Sequence, residues 1–240
     1  MTADEVAQEI SGTQLRILDT AERLFADHGY NGVSLRQLTQ EAEVNLAAVN
    51  YYFGSKEGLL RAVYSRRAGP LNSERHHLLD GCEIAMQRGE VNVEAILEAY
   101  IGPMVRLSRA SEGGRLFTKL VSIDSVDPTT AVRSIGKALY DDVGRRWASL
   151  LARACPWLSP EDLFWRMTAA FGAMFYASAN NGRVERVVPT HPSSTAAPDA
   201  LEHLIPFLAA GFLAPPAPST KKGKLIKKER KSGTPARNSA

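Results

Sequence analysis

Only two cysteines occur in the 240 residues, Cys82 and Cys155. A fold stapled by disulfides is excluded, and both thiols are expected to be reduced and unpaired. The sequence also lacks any apolar run near the roughly 18–20 residues that a bilayer span requires. Its first residues, MTADEVAQEISG, have no basic region followed by an apolar core, so no signal peptide is expected. No stretch alternates apolar and polar residues as a strand does, and no internal repeat is present. There is no Gly-rich phosphate loop and no Ser-His-Asp order. His76-His77 lies near Cys82 at a spacing that fits no metal site. Catalysis, cofactors and metals are therefore not expected, and the chain reads as a cytoplasmic non-enzyme.

What is present is an ordinary apolar share of 44%, enough for a sizeable core. The net charge of +3 conceals a split. Residues 221–240 hold eight basic side chains against Glu229, a net of +7, which leaves about −4 for residues 1–220. Basic character is confined to a Pro-, Ala-, Lys- and Arg-rich end, 214–240, that cannot bury enough apolar surface to fold and is expected to be disordered. Between the ends, apolar residues recur at helical spacing throughout. Leu15, Leu18, Ala21, Leu24 and Phe25 make a first helix that Gly29 stops. Gly69-Pro70 predicts a local kink, Pro103 and Pro206 further bends, and Asp127-Pro128 and Ser159-Pro160 new helix starts. Gly182 to Pro198 reads as loop. The expected fold is all-α with about nine helices: a flexible arm 1–12, a helix-turn-helix 13–54, a larger helical domain 55–213, and the tail 214–240.

The most informative stretch is SLRQLTQEAEVNLAAVNYYFGSK, Ser34 to Lys56. Ser34 and Gln37 form a capping box, and Leu35, Leu38 and Ala42 give a short apolar face. Glu43-Val44 makes the turn, and Asn45 caps a second helix. Val44, Val49 and Phe53 are expected inward, with Asn45, Ala47, Ala48 and Asn50 outward. A helix presenting small residues and two amides can enter a major groove without steric conflict. Asn45 and Asn50 are the candidates for base edges, since an amide pairs bidentately with adenine. Ala47 and Ala48 either touch a thymine methyl or simply permit close approach. Residues 1–67 carry seven basic and nine acidic side chains, so attraction to phosphates cannot be the main source of affinity. A few placed contacts, repeated in two copies on a palindrome, are required.

The words YYFGSKEGLL after this unit resemble the signature of the TetR family of transcriptional regulators, a match running from Ile17 to Leu60. The resemblance implies that Gly-Ser-Lys opens the helix leading to a ligand domain. It also implies that Tyr51 and Lys56 touch phosphates, as do Ser34 and Arg36 at the amino end of the second helix. Glu43 departs from the usual turn glycine, and Asn50 from a frequent tyrosine. VNLAAVNYYFGSK, LFWR and IPFLAAG are similar to words of the fatty-acid-responsive PsrA-type repressors. In this family the dimer interface lies on the last two long helices, here around Phe164–Ala179 and Leu201–Leu213, and a cavity lies among the middle helices. Met104, Phe117, Trp147, Met167, Phe171 and Met174 are candidates to line it, or are ordinary core. Arg106, Arg109 and Arg115 are candidates to meet a carboxylate or phosphates, or are surface charges.

The expected function is a homodimeric regulator, nucleoid-associated when bound, holding a double-stranded DNA operator and released by an apolar effector such as a fatty acid or acyl-CoA. A sensor of drugs or aromatic metabolites, or an architectural DNA-binding protein without ligand, are the alternatives. The tail is either a flexible arm on DNA or a solubilising extension. If it is an arm, deleting residues 218–240 lowers the salt dependence of operator affinity, measured by titration across ionic strengths. An unchanged slope assigns it to solubility.

Overall fold

The computed structural model describes residues 3–125, 130–179, 182–188 and 197–216. Among them every regular element is helical. The order is α1 (Ala3–Gly32), α2 (Leu35–Glu41), α3 (Leu46–Phe53), α4 (Lys56–Gln87), α5 (Val93–Ala110), α6 (Glu112–Asp124), α7 (Thr130–Ala154), α8 (Pro160–Ala179), α9 (Arg183–Val187) and α10 (Ala197–Leu213). The all-α class and the division into a small amino-terminal unit and a larger helical body are as expected. The additional helix is α9, one short turn within a stretch read as loop. The basic run beyond 216 and the Asp127-Pro128 helix start lie outside the described residues.

The first helix corrects the amino-terminal boundary. It starts at Ala3, inside the segment expected as a flexible arm. That segment has no apolar stripe, but its Ala, Glu and Gln are strong helix formers, so propensity rather than amphipathicity extends the helix. Gly29 has φ 69°, which bends α1 where a stop was expected, and the helix resumes to Gly32. Leu15, expected inward, is exposed, whereas Ile17, Ala21, Leu24 and Phe25 are buried.

α4 is the spine. It runs through Pro70 without a break and buries Leu59, Leu60, Val63, Tyr64, Ala68, Leu71, Arg75 and Leu79 on one face. Its amino half packs on α1 and α3, and the rest packs on α5 and α7. α5 is buried on most sides, lying between α4, α6, α8 and α10. Trp147 of α7 is fully buried, stacks on Tyr100 at 4.4 Å between centroids, and donates its indole N–H to Ile96 O at 2.9 Å. An aromatic of this size removes about 200 Å² from water, roughly 5 kcal/mol of gross transfer energy. No helix among the described residues is long and apolar enough to cross a membrane.

The carboxyl end of α10 is closed by a side chain from another helix. Arg166 of α8 donates to Gly211 O at 2.7 Å, Phe212 O at 2.9 Å, Ala214 O at 2.8 Å and Pro215 O at 2.7 Å. The last carbonyls of a helix have no partner within it and carry its negative dipole end, so a guanidinium there satisfies both. Arg166→Ala should lower unfolding stability by about 2 kcal/mol, and Arg166→Lys should recover only part of that. The urea midpoint measures it; an unmoved midpoint would show that water serves those carbonyls equally well.

Candidate nucleic-acid interface and apolar cavity

α2 and α3 are set by their caps. Ser34 Oγ accepts from Gln37 N at 3.1 Å, and Asn45 Oδ1 accepts from Ala48 N at 2.8 Å. Leu38, Ala42 and Val49 are buried, α2 packs on α1 and α3 on α2 and α4, and Arg23 of α1 holds Glu41 of α2 at 2.6 Å. That hydrogen bond, with another from Gln37, keeps the Glu41 carboxyl below its ordinary range. Between the helices Glu43 has φ 53°, the only positive φ at a non-glycine residue among those described. The turn thus demands the left-handed conformation that glycine adopts freely, and glutamate meets it at a cost.

The outward face of α3 differs from expectation at Ala48, and at Asn45 the expected cap limits the expected reading. Asn50, Ala47 and Tyr51 are exposed, Tyr51 by 80%. Ala48 is half-buried and packs against the core. Asn45 is exposed, but its amide oxygen is engaged as the cap of α3, so a bidentate pair with adenine competes with helix initiation. Ser34 is likewise a cap with an exposed side chain.

Most cations of this unit serve internal carboxylates. Arg66 meets Asp19 at 2.7 Å and Glu22 at 2.5 Å, Arg67 meets Glu22 at 3.1 Å, and Arg61 lies 3.4 Å from Glu57. Arg36 is exposed, and neither it nor Lys56 has an ion pair among the described residues. Lys56 follows Ser55, which caps α4, and its Nζ lies 4.3 Å above the Tyr30 ring. Partial burial there pulls its pKa below the usual lysine range. Two cations without a carboxylate partner, Arg36 before α3 and Lys56 after it, thus flank Asn50 in the sequence.

The larger body holds a cavity of about 390 Å³, lined mainly by α4, α5, α7 and α8. Four of the six candidates line it: Met104, Met167, Phe171 and Met174. Phe117 and Trp147 do not. Phe117 packs edge-on to Tyr64 at 5.8 Å, and Trp147 stands behind Tyr100. Helical spacing selects the buried side of a helix and cannot separate void-facing from neighbour-facing positions. None of the three candidate arginines reaches the cavity. Arg106 pairs with Glu74 and Glu98, Arg109 donates to Val105 O and Ala177 O, and Arg115 lies beside Glu112. The buried cation that lines it is Arg75, with Tyr100 and Tyr140 beside it, while the ion pair of Arg145 and Asp141 also borders the cavity. The sequence did carry a signal for this, since Arg75 interrupts the apolar series Leu71, Leu79 at i+4 spacing.

The two regions are joined through α6. Lys119 of α6 holds Asp27 of α1 at 2.8 Å, a hydrogen bond that lowers the Asp27 pKa. A Cβ on Gly113 would stand 2.1 Å from Arg67 Nη2, so the start of α6 rests against the Glu22 cluster. Val121 of the same helix lines the cavity. Both cysteines are free, and among the described residues no three His, Cys, Asp or Glu side chains are grouped to hold a metal.

Comparison with known proteins matches residues 17–63 to the family described as bacterial regulatory proteins, tetR family. Residues 98–211 match the tetracyclin repressor-like C-terminal domain. The regulatory protein RaaS of Mycobacterium tuberculosis is 30% identical over 112 residues, covering 47% of this chain and 51% of that protein. The transcriptional regulator YttP of Bacillus subtilis is 38% identical over 53 residues, covering 22% and 26%. These alignments thus span about half or less of the curated relatives. Among solved structures, a fatty acid metabolism regulator of Clostridium perfringens superposes with a TM-score of 0.59 at 17% identity, over 82% of this chain and 97% of that one. PfmR of Thermus thermophilus does so at 0.55 and 18%, over 83% and 95%. At these identities the likeness is one of fold.

The turn offers a direct test. Glu43→Gly should raise stability by about 0.5 kcal/mol, the relief of the left-handed strain less the added freedom of the unfolded chain. Chemical denaturation reads it, and a lowered midpoint would show that Glu43 makes a compensating contact.

Proposed function

This chain belongs to the tetR family of bacterial regulatory proteins, and from that premise we propose a homodimeric, effector-released repressor that reads a palindromic operator in the cytoplasm. The observation that carries the reading is the exposed α3 face, with Asn50 flanked by two cations that no internal carboxylate claims. Asn50 reads a base edge, and Arg36, Lys56, Tyr51 and the α2 amino end at Ser34 fix the phosphates. Asn45 contributes its free amino group while its oxygen holds the cap. Ala47 lies against the groove floor; Ala48 shapes the helix from behind.

Dimerisation through α8 and α10 is supported by their surfaces. Phe164 and Trp165 on α8 are each 61% exposed, and Phe207 on α10 is 73% exposed. Aromatic side chains in such numbers on two packed helices ask to be covered. A two-fold axis brings the same pair from a second copy into a four-helix bundle. One short helix contacts too few base pairs to be specific, so the dimer also serves the reading of DNA.

The effector is an apolar compound such as a fatty acid or acyl-CoA. The methionine- and phenylalanine-lined cavity supports this, and the fold shared with a fatty acid metabolism regulator is compatible with it. A drug or aromatic metabolite would use the same apolar wall. Release is a population shift. A ligand against Val121 favours one position of α6, and the Lys119–Asp27 and Arg67–Glu22 contacts carry that position to α1 and so to the spacing of the two α3 helices. A ligand-free architectural role does not account for the cavity or its connection to α1.

Selection of bound DNA from a random pool should return a palindrome. Asn50→Ala should then cost roughly 10-fold or more in affinity and relax one base position per half-site. Lys56→Met should weaken all sequences alike and reduce the salt slope by about one for each phosphate that Lys56 neutralises. Binding that ignores sequence, or that Asn50→Ala leaves intact, would overturn the reading.

A further inference from the structure

Arg75 is 2% exposed, and no carboxylate among the described residues pairs with it. Its Nε donates to Tyr100 O at 2.9 Å and its Nη1 to Asn72 Oδ1 at 3.3 Å, while Nη2 meets only the thioether of Met174 at 3.7 Å. The guanidinium carbon lies 4.0 Å from the Tyr100 ring centre. A guanidinium cannot shed its proton at physiological pH, and buried charges are ordinarily paired. Burial here does pull its pKa down, the direction expected for a cation short of compensation. A thioether is a weak acceptor, so one strong donor is left facing the void. Beside it Tyr140 lines the same cavity, and its hydroxyl is buried with no hydrogen-bond partner. The acidic groups nearby are otherwise engaged. Asp141, which also lines the cavity, lies 3.6 Å from Arg145 of the same lining, Glu74 lies 3.1 Å from Arg106, and Asp124 accepts from the Tyr64 hydroxyl.

An apolar cavity with one buried, uncompensated cation and one unused hydroxyl is complementary to an amphiphile with a single negative terminus. We propose that the effector is a free carboxylic acid, its carboxylate held by Arg75 and the Tyr140 hydroxyl, its tail among Met104, Met167, Phe171 and Phe175. This rests on the effector-released reading above and narrows it. A thioester or ester presents a neutral carbonyl where Arg75 requires an anion. The volume of 390 Å³ also lies near the lower end of the roughly 300–1,000 Å³ of ligand sites, a size suited to a single aliphatic chain. Binding would draw Nη2 from Met174, loosening a contact between α4 and α8.

The test is calorimetric titration of the full chain with octanoic, dodecanoic and hexadecanoic acids, the methyl ester of each, and dodecanoyl-CoA. Operator affinity is measured in parallel. At least one acid should bind, with its methyl ester at least 10-fold weaker and the thioester not measurably bound. Arg75→Met should weaken the acid roughly 10- to 100-fold and leave the ester unchanged, and Tyr140→Phe should weaken the acid several-fold. Circular dichroism checks that each variant folds. If Arg75→Met does not fold, the acid-to-ester ratio and Tyr140→Phe decide. Equal binding of acid and ester, or full retention by a folded Arg75→Met protein, would make Arg75 a structural bolt and overturn the proposal. Release of DNA by the thioester or an ester alone overturns it too but keeps the effector-released repressor. An acid that binds at Arg75 without altering operator affinity keeps the receptor and overturns the repressor mechanism. No binding and no release by any compound overturns both.

Discussion

Glu22 lies in α1 at 2% exposure, and its carboxylate receives Arg66 and Arg67 of α4 at 2.5 Å and 3.1 Å. A carboxylate so placed loses its hydration, and only the two guanidinium groups offset that loss. The cluster can therefore exist in few geometries, which makes it a fixed joint rather than a source of net stability. It sets α1 on α4, and α1 in turn carries α2 and α3. The start of α6 touches the same joint because Gly113 has no side chain to collide with Arg67. Three helices from both parts of the chain thus meet on one buried charge.

That joint has a consequence for binding. Arg66 and Arg67 are the adjacent basic pair that a charge count would assign to phosphates, yet both face inward to Glu22, as Arg23 turns to Glu41. What remains near α3 is Arg36 and Lys56. With so few cations free, the proposed reading of DNA would rest proportionately more on the shape and amides of α3 than on non-specific attraction. A reader of this kind depends strongly on where its second copy stands. In the proposed dimer the position of α1 relative to α4 and α6 governs that, which would give an effector among α4 to α8 leverage over a helix it never touches.

The cavity follows the same economy of charge. Arg106, Arg109 and Arg115 lie within a few turns of it but find partners on the surface or in the backbone. Arg75 alone is carried inward, on the buried stripe of the spine helix, to a place where no acidic side chain meets it. The surrounding methionines and aromatics give a wall that adapts in shape, and its one carboxylate, Asp141, lies beside Arg145. For the proposed ligand, recognition of the charged end and accommodation of the tail would thereby be separated in space.

Local chemistry was legible from the chain because it depends on near neighbours. Ser34, Asn45, Ser55 and Ser159 cap the helices they precede, the helical spacing of apolar residues gives every long helix, and Gly54-Ser55-Lys56 opens α4. The unusual Glu43 marked the turn whose left-handed backbone it strains. Even Arg75 was visible as a break in an apolar series. What spacing cannot encode is which buried side chain faces a void and which faces another helix, since both are equally apolar. Tertiary packing alone sent Phe117 and Trp147 into the core, brought Tyr140 beside Arg75, turned Ala48 inward, and paired Glu22 with residues 44 and 45 positions away. Caps and periodicity act within a few residues, so the helices and the DNA-reading unit are written in the order of the chain. Which charges are spent inside, and which are left to meet a partner, was decided by the packing of helices distant in that order.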